Sequence, residues 1–132
     1  MDRSRSDPAL RALLTLVGAV AVAAGLYGVA TGIDGMAGHS SGTTNVDSEL
    51  RFFAVLWVAY GVIALRAASH ADGESTTVRA LMLVLFCTGL ARVVAWIDEG
   101  RPDSLYVVLL GLELGVPLLA LALQNRALAR AR

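Results

Sequence analysis

The sequence predicts an all-α protein, a four-helix transmembrane bundle with its N- and C-termini in the cytoplasm. Three observations predict it. Of 132 residues, 56% are hydrophobic and only 17% charged, where a soluble domain has roughly 45–50% and about 25%. The apolar excess falls in four blocks, each near the roughly 20 residues that cross a bilayer core. The arginines alternate between the connecting segments, which orients the blocks. After four such helices little chain remains, so residues 1–132 read as a single four-span membrane domain.

The first block runs over 12–31, behind the polar head MDRSRSDPALR. Arginines before an apolar run also fit a secretory signal peptide. The length of the run and the three spans that follow favour a retained helix. Gly18, Gly25, Gly28 and Gly32 recur at spacings that form one stripe. Gly28 and Gly32 make a G-x-x-x-G pair, which lets a neighbouring helix approach closely, either within the bundle or in a homo-oligomer. The loop 33–48 is rich in Gly, Ser and Thr. His39 stands there without a second ligand at metal spacing, so it reads as a solvated loop residue.

The second block spans 49–66. Glu49, Phe53, Leu56 and Tyr60 fall on one face at 100° per residue, with Arg51 on roughly the opposite side. Arg51 enters only about 3 Å and can snorkel to the interface, so Glu49 and Arg51 need not pair. Each then marks the membrane boundary. The polar turn after it carries Arg66, His70 and Arg79, with Asp72 and Glu74 near the histidine. Loop acids beside one histidine make a weak metal motif, and no metal is expected.

The third block spans 78–97. Leu85, Gly89, Arg92 and Trp96 share a face, and Gly89 leaves room beside the arginine. Cys87, the single cysteine, allows no internal disulfide and reads as a buried small hydrophobe. A tight polar loop, DEGRPD, leads to the fourth block, 104–124. There Tyr106, Glu113, Pro117, Ala120 and Gln124 point within about 40° of one direction. Pro117 has no N–H, so the Glu113 carbonyl loses its i+4 donor and the helix can kink.

Orientation follows from the arginine count: three in the head, two in the second loop, three in the tail, none in the first loop and one in the third. The head, second loop and tail are therefore cytoplasmic. In that topology Glu49 lies at the outer boundary and Arg92 about 8 Å below the outer end. Glu113 lies about 14 Å down and Tyr60 about 16 Å down. The inner halves of the spans carry no charge.

An embedded carboxylate costs about 2.5–3.5 kcal/mol on insertion scales, so Glu113 needs a partner. Arg92 is within reach, and Tyr60 can donate to the carboxylate. The candidate polar pocket is thus Glu49, Tyr60, Arg92 and Glu113, supported by Arg51, Trp57, Trp96, Tyr106 and Pro117. Two functions follow. Either these residues line an outward-facing pocket for a lipid, a quinone or another small polar ligand, or the Arg92–Glu113 pair locks helices in an accessory subunit of a larger membrane complex. Enzyme chemistry lacks its inventory: the spans hold no Ser/His/Asp set, no haem histidines, no CxxC and no phosphate loop. No cofactor is expected. Zero net charge suggests no nucleic-acid partner. The bilayer is the one partner common to both readings.

Glu49-Leu50-Arg51-Phe52, Tyr60-Gly61, Ala91-Arg92, Gly100-Arg101-Pro102, and Glu113-Leu114 with Pro117 together resemble the bacterial family of domain of unknown function 4345. The resemblance covers nearly the whole chain, helices one to four. It implies a small, four-helix, multi-pass protein of the bacterial cytoplasmic (inner) membrane with no assigned activity. The first loop is long and glycine-rich for that family.

Overall fold

Each of the four apolar blocks is a helix: α1 Pro8–Thr31, α2 Thr44–Ser69, α3 Ser75–Glu99 and α4 Ser104–Arg130, with a short 3-10 turn, Gly32–Gly35, after α1. The computed structural model describes residues 7–38, 41–70 and 75–130. His39, Asp72 and Glu74 lie outside the described residues. No strand occurs among them. All four helices are long and apolar enough to cross a membrane. Their 24 to 27 residues make about 36–40 Å at 1.5 Å per residue, more than the roughly 30 Å hydrocarbon core.

The helices outrun the apolar blocks because caps, not apolarity, set their ends. Asp7 precedes Pro8, and its Oδ1 accepts from the Ala9 amide at 2.9 Å. Proline at the first helical position sacrifices no bond. Thr43 Oγ1 accepts from the Val46 amide at 3.4 Å and starts α2 five residues before the predicted 49. Asp103 Oδ1 takes the Leu105 amide at 3.0 Å and starts α4. Gly100 ends α3: at φ 91° its amide returns to the Trp96 carbonyl at 3.0 Å, a left-handed stop natural to glycine.

Residues 14–69 form one compact unit, which holds most of α1, the 3-10 turn and α2; α3 and α4 belong to the other. In the first unit the two helices run antiparallel with their backbones nearly touching. A Cβ added to Gly25 would lie 2.6 Å from the Ala54 carbonyl oxygen, and one on Gly61 2.6 Å from the Gly18 carbonyl oxygen. The buried residues of α2 are Ala54, Tyr60, Gly61, Ala64, Ala67 and Ala68. Phe52, Phe53, Val55, Leu56, Val62 and Ile63 are exposed. Small side chains thus face protein and large ones face outward, the arrangement favoured where lipid removes the hydrophobic drive between helices. The predicted face of Glu49, Phe53, Leu56 and Tyr60 is not an inward one, since only Tyr60 is buried.

The glycine stripe needs one correction. Gly18, Gly25 and Gly28 approach α2, but Gly32 has left α1 and sits at φ 55°. A Cβ there would strike Asp47 and Arg51. Gly28 and Gly32 therefore do not make a helix-packing pair. Gly32 turns the chain instead.

In the second unit the inward face of α3 carries Val78, Leu81, Met82, Leu85 and Gly89, all buried. Gly89 admits α4: a Cβ on it would fall 2.7 Å from Leu114 Cδ2 and 3.2 Å from Glu113 Cβ. Cys87 is exposed, not buried as predicted. It stands two residues from both Leu85 and Gly89, about 200° around the helix from the face that packs. On α4, Glu113, Pro117, Ala120 and Gln124 are buried and Tyr106 is half-buried. The helix runs unbroken through Pro117.

Candidate functional site

The sequence supplies Glu113 with no acidic or basic neighbour on its own helix before Arg126, so any charge partner must come from another element. α3 provides it. Arg92 Nε donates to Glu113 Oε2 at 2.8 Å. The carboxylate side chain is only 6% exposed, and the arginine side chain 32%. The guanidinium carbon also stands 5.6 Å from the centre of the Tyr106 ring, a cation–π contact that is stronger when desolvated. Gly89, one turn before Arg92, brings the two helices close enough for the pair to form. Leu114 fills the space beside it.

Arg92 thus has its Nε edge fixed by a buried acid and its plane beside an aromatic ring. Among the described residues its two terminal amino groups have no hydrogen-bond acceptor. Arginine presents five N–H donors in a rigid fork, so four have no acceptor among the described residues. Trp96, one turn further along α3, is half-buried.

A second rung joins α3 and α4. Arg79 Nε donates to Gln124 Oε1 at 3.3 Å, and Gln124 is buried. Arg79 was expected in the loop. It lies on α3, which begins at Ser75, inside the predicted block 78–97 and within the stretch Thr76–Glu99 that is long and apolar enough to cross a membrane. Polar contacts thus join α3 to α4 at both ends, Arg79 with Gln124 near the start of α3 and Arg92 with Glu113 towards its end.

The other candidates belong to the first unit. Arg51 does not merely mark a boundary. Its Nε donates to Asp47 Oδ2 at 2.8 Å, and its Nη1 donates to the carbonyls of Val29 at 2.5 Å and Ala30 at 3.3 Å. Asp47 Oδ1 accepts from the Ile33 amide at 2.8 Å. The last carbonyls of a helix lack intrahelical donors, and Arg51 supplies them to α1. Asp47 is the residue that sequence reasoning missed. Its signal was available: an acid four residues before an arginine is a helical ion-pair spacing, hidden by placing the start of α2 at 49. Glu49 is exposed. Trp57 meets Tyr60 edge to face, ring centres 5.5 Å apart.

Among the described residues no three His, Cys, Asp or Glu side chains gather in a metal-holding group. His70 is exposed after α2.

A family model described as Domain of unknown function (DUF4345) matches residues 9–124. No curated protein and no solved structure matches the chain.

Proposed function

The chain belongs to the DUF4345 family, and on that footing we propose that it is a multi-pass protein of the cytoplasmic membrane that binds a small polar molecule or lipid headgroup at Arg92. One observation carries this reading: a guanidinium held by a buried carboxylate at 2.8 Å while its terminal amino groups have no acceptor among the described residues. A purely structural pair would engage both edges, as Arg51 engages Asp47 and two carbonyls. Within a bilayer an unsatisfied donor is costly, and intramembrane ionisable groups are candidate functional sites for that reason. Glu113 has two roles in this scheme. It offsets the charge of Arg92, and it fixes the direction of the fork.

The accessory-subunit reading has its own support, since two polar rungs lace α3 to α4. Native mass spectrometry of the full chain, released from membranes under mild conditions, separates the two. The binding reading expects a retained small molecule on the parent protein that is absent from Arg92→Lys. Co-release with a second, different protein chain and no small molecule would favour the accessory role. A bare chain in both parent and variant would overturn the binding reading.

A further inference from the structure

The site at Arg92 also constrains the charge and polarity of what it receives. This inference rests on the binding reading above. Three features bear on it. First, the site is neutral before any ligand arrives, because Arg92 and Glu113 offset one another at 2.8 Å. An added anion would leave one uncompensated negative charge beside a carboxylate that is only 6% exposed. Uncompensated charge in a low-dielectric site is strongly penalised.

Second, Arg92 lies deep. It stands seven residues before the end of α3 at Glu99, about 10 Å along the axis. Helical side chains lean toward the N-terminus, so the guanidinium lies further from that end than its own Cα. Glu113, nine residues into α4, is at a matching depth of about 14 Å. Since α3 exceeds the hydrocarbon core by only about 7 Å, this places the fork well inside the hydrocarbon region. Lipid phosphates lie outside it.

Third, the acidic connection above the pair opposes an approaching anion. Asp98, Glu99 and Asp103 are exposed there against a single exposed Arg101.

We propose that the terminal amino edge of Arg92 receives a neutral carbonyl oxygen carried on an apolar, lipid-soluble body, and not a phosphate or a free anion. A quinone ring and the ester of a glycerolipid both offer that oxygen. Each reaches this depth from within the bilayer without moving charge into it. The Tyr106 ring beside the guanidinium and the half-buried Trp96 supply apolar surface for the rest of such a molecule.

The test is thermal unfolding of the detergent-purified full chain, followed by far-ultraviolet circular dichroism. Four probes are compared: a decyl-substituted benzoquinone, dioctanoylglycerol, inorganic phosphate and a short-chain phosphatidylglycerol. The expected result is a rise of a few degrees in the midpoint with the quinone or the diacylglycerol. That rise is lost in Arg92→Lys and kept in Arg101→Lys. Whichever probe acts identifies the source of the carbonyl. Glu113→Gln should also lose the rise given by the quinone or the diacylglycerol, because a neutral amide no longer fixes the direction of the fork. This second variant decides the matter if Arg92→Lys does not fold. Stabilisation of the parent by phosphate or phosphatidylglycerol alone, lost in Arg92→Lys, would overturn the carbonyl assignment and leave the binding reading standing. No shift with any probe, or equal shifts in parent and Arg92→Lys, would overturn both.

Discussion

Arg51 reaches back 22 residues to donate to the Val29 carbonyl at 2.5 Å while its Nε holds Asp47. One side chain thereby finishes a helix other than its own. Removing it in Arg51→Ala leaves the α1 carbonyls and the Asp47 carboxylate without that donor. The net loss of stability is expected to be small, because solvent reaches this pair and can replace part of what Arg51 donates. Hydrogen exchange should locate it, with protection falling at Ile33 and the last turn of α1 and little change in α3 or α4. Arg51→Lys should recover only part, since one ammonium does not reproduce the fork.

For Arg92 and Glu113, substitution of Arg92 by alanine strands a buried carboxylate, and substitution of Glu113 strands a half-buried guanidinium. The expected loss is about 3–5 kcal/mol for Arg92→Ala, which leaves the buried carboxylate unpaired, and less for Glu113→Ala, because the guanidinium left behind is 32% exposed. The double variant should cost clearly less than the sum of the singles. A double-mutant cycle on unfolding free energies checks this, and additive losses would mean that the contact at 2.8 Å contributes nothing to stability.

Glycines divide into two groups by what surrounds them. Gly25→Ala places a methyl 2.6 Å from the Ala54 carbonyl oxygen and should destabilise by about 1–3 kcal/mol. At Gly111 and Gly115 an added Cβ meets nothing within 4 Å. Gly111→Ala should instead stabilise by up to about 1 kcal/mol through helix propensity. Midpoints of thermal unfolding for the two variants should move in opposite directions.

Orientation is open to a direct check. With head, second loop and tail in the cytoplasm, an alkaline phosphatase fused after Arg132 stays inactive, and one inserted in the first loop is active. The reverse pattern would invert the chain.

What was legible in the sequence follows from periodicity. The faces of Leu85, Gly89, Arg92 and Trp96 and of Tyr106, Glu113, Pro117, Ala120 and Gln124 are fixed by 100° per residue, and these residues are buried or half-buried. Helix α2 shows the limit. Choosing its inward side by large apolar residues picks Phe53 and Leu56, which are exposed. In lipid an apolar side chain gains little by turning inward, so size decides and alanine and glycine go inside. Arg79 and Asp47 escaped for another reason. Both lie in polar stretches at the start of a helix, before the apolar run begins, and hydropathy does not register such turns; for Asp47 the Thr43 cap makes the turn helical. The use of Arg51 on backbone carbonyls leaves no side-chain pattern at all.

The four-residue connection between α3 and α4, from Gly100 to Asp103, bears on how the chain is made. Arg92 leaves the ribosome 21 residues before Glu113. At elongation rates of about 5–20 residues per second, that is an interval of roughly one to four seconds. Throughout it the third helix carries a cation whose partner has not yet emerged. Membrane entry of α3 by itself must bear that charge, so the two helices are best delivered by the translocon together, as a pre-paired hairpin.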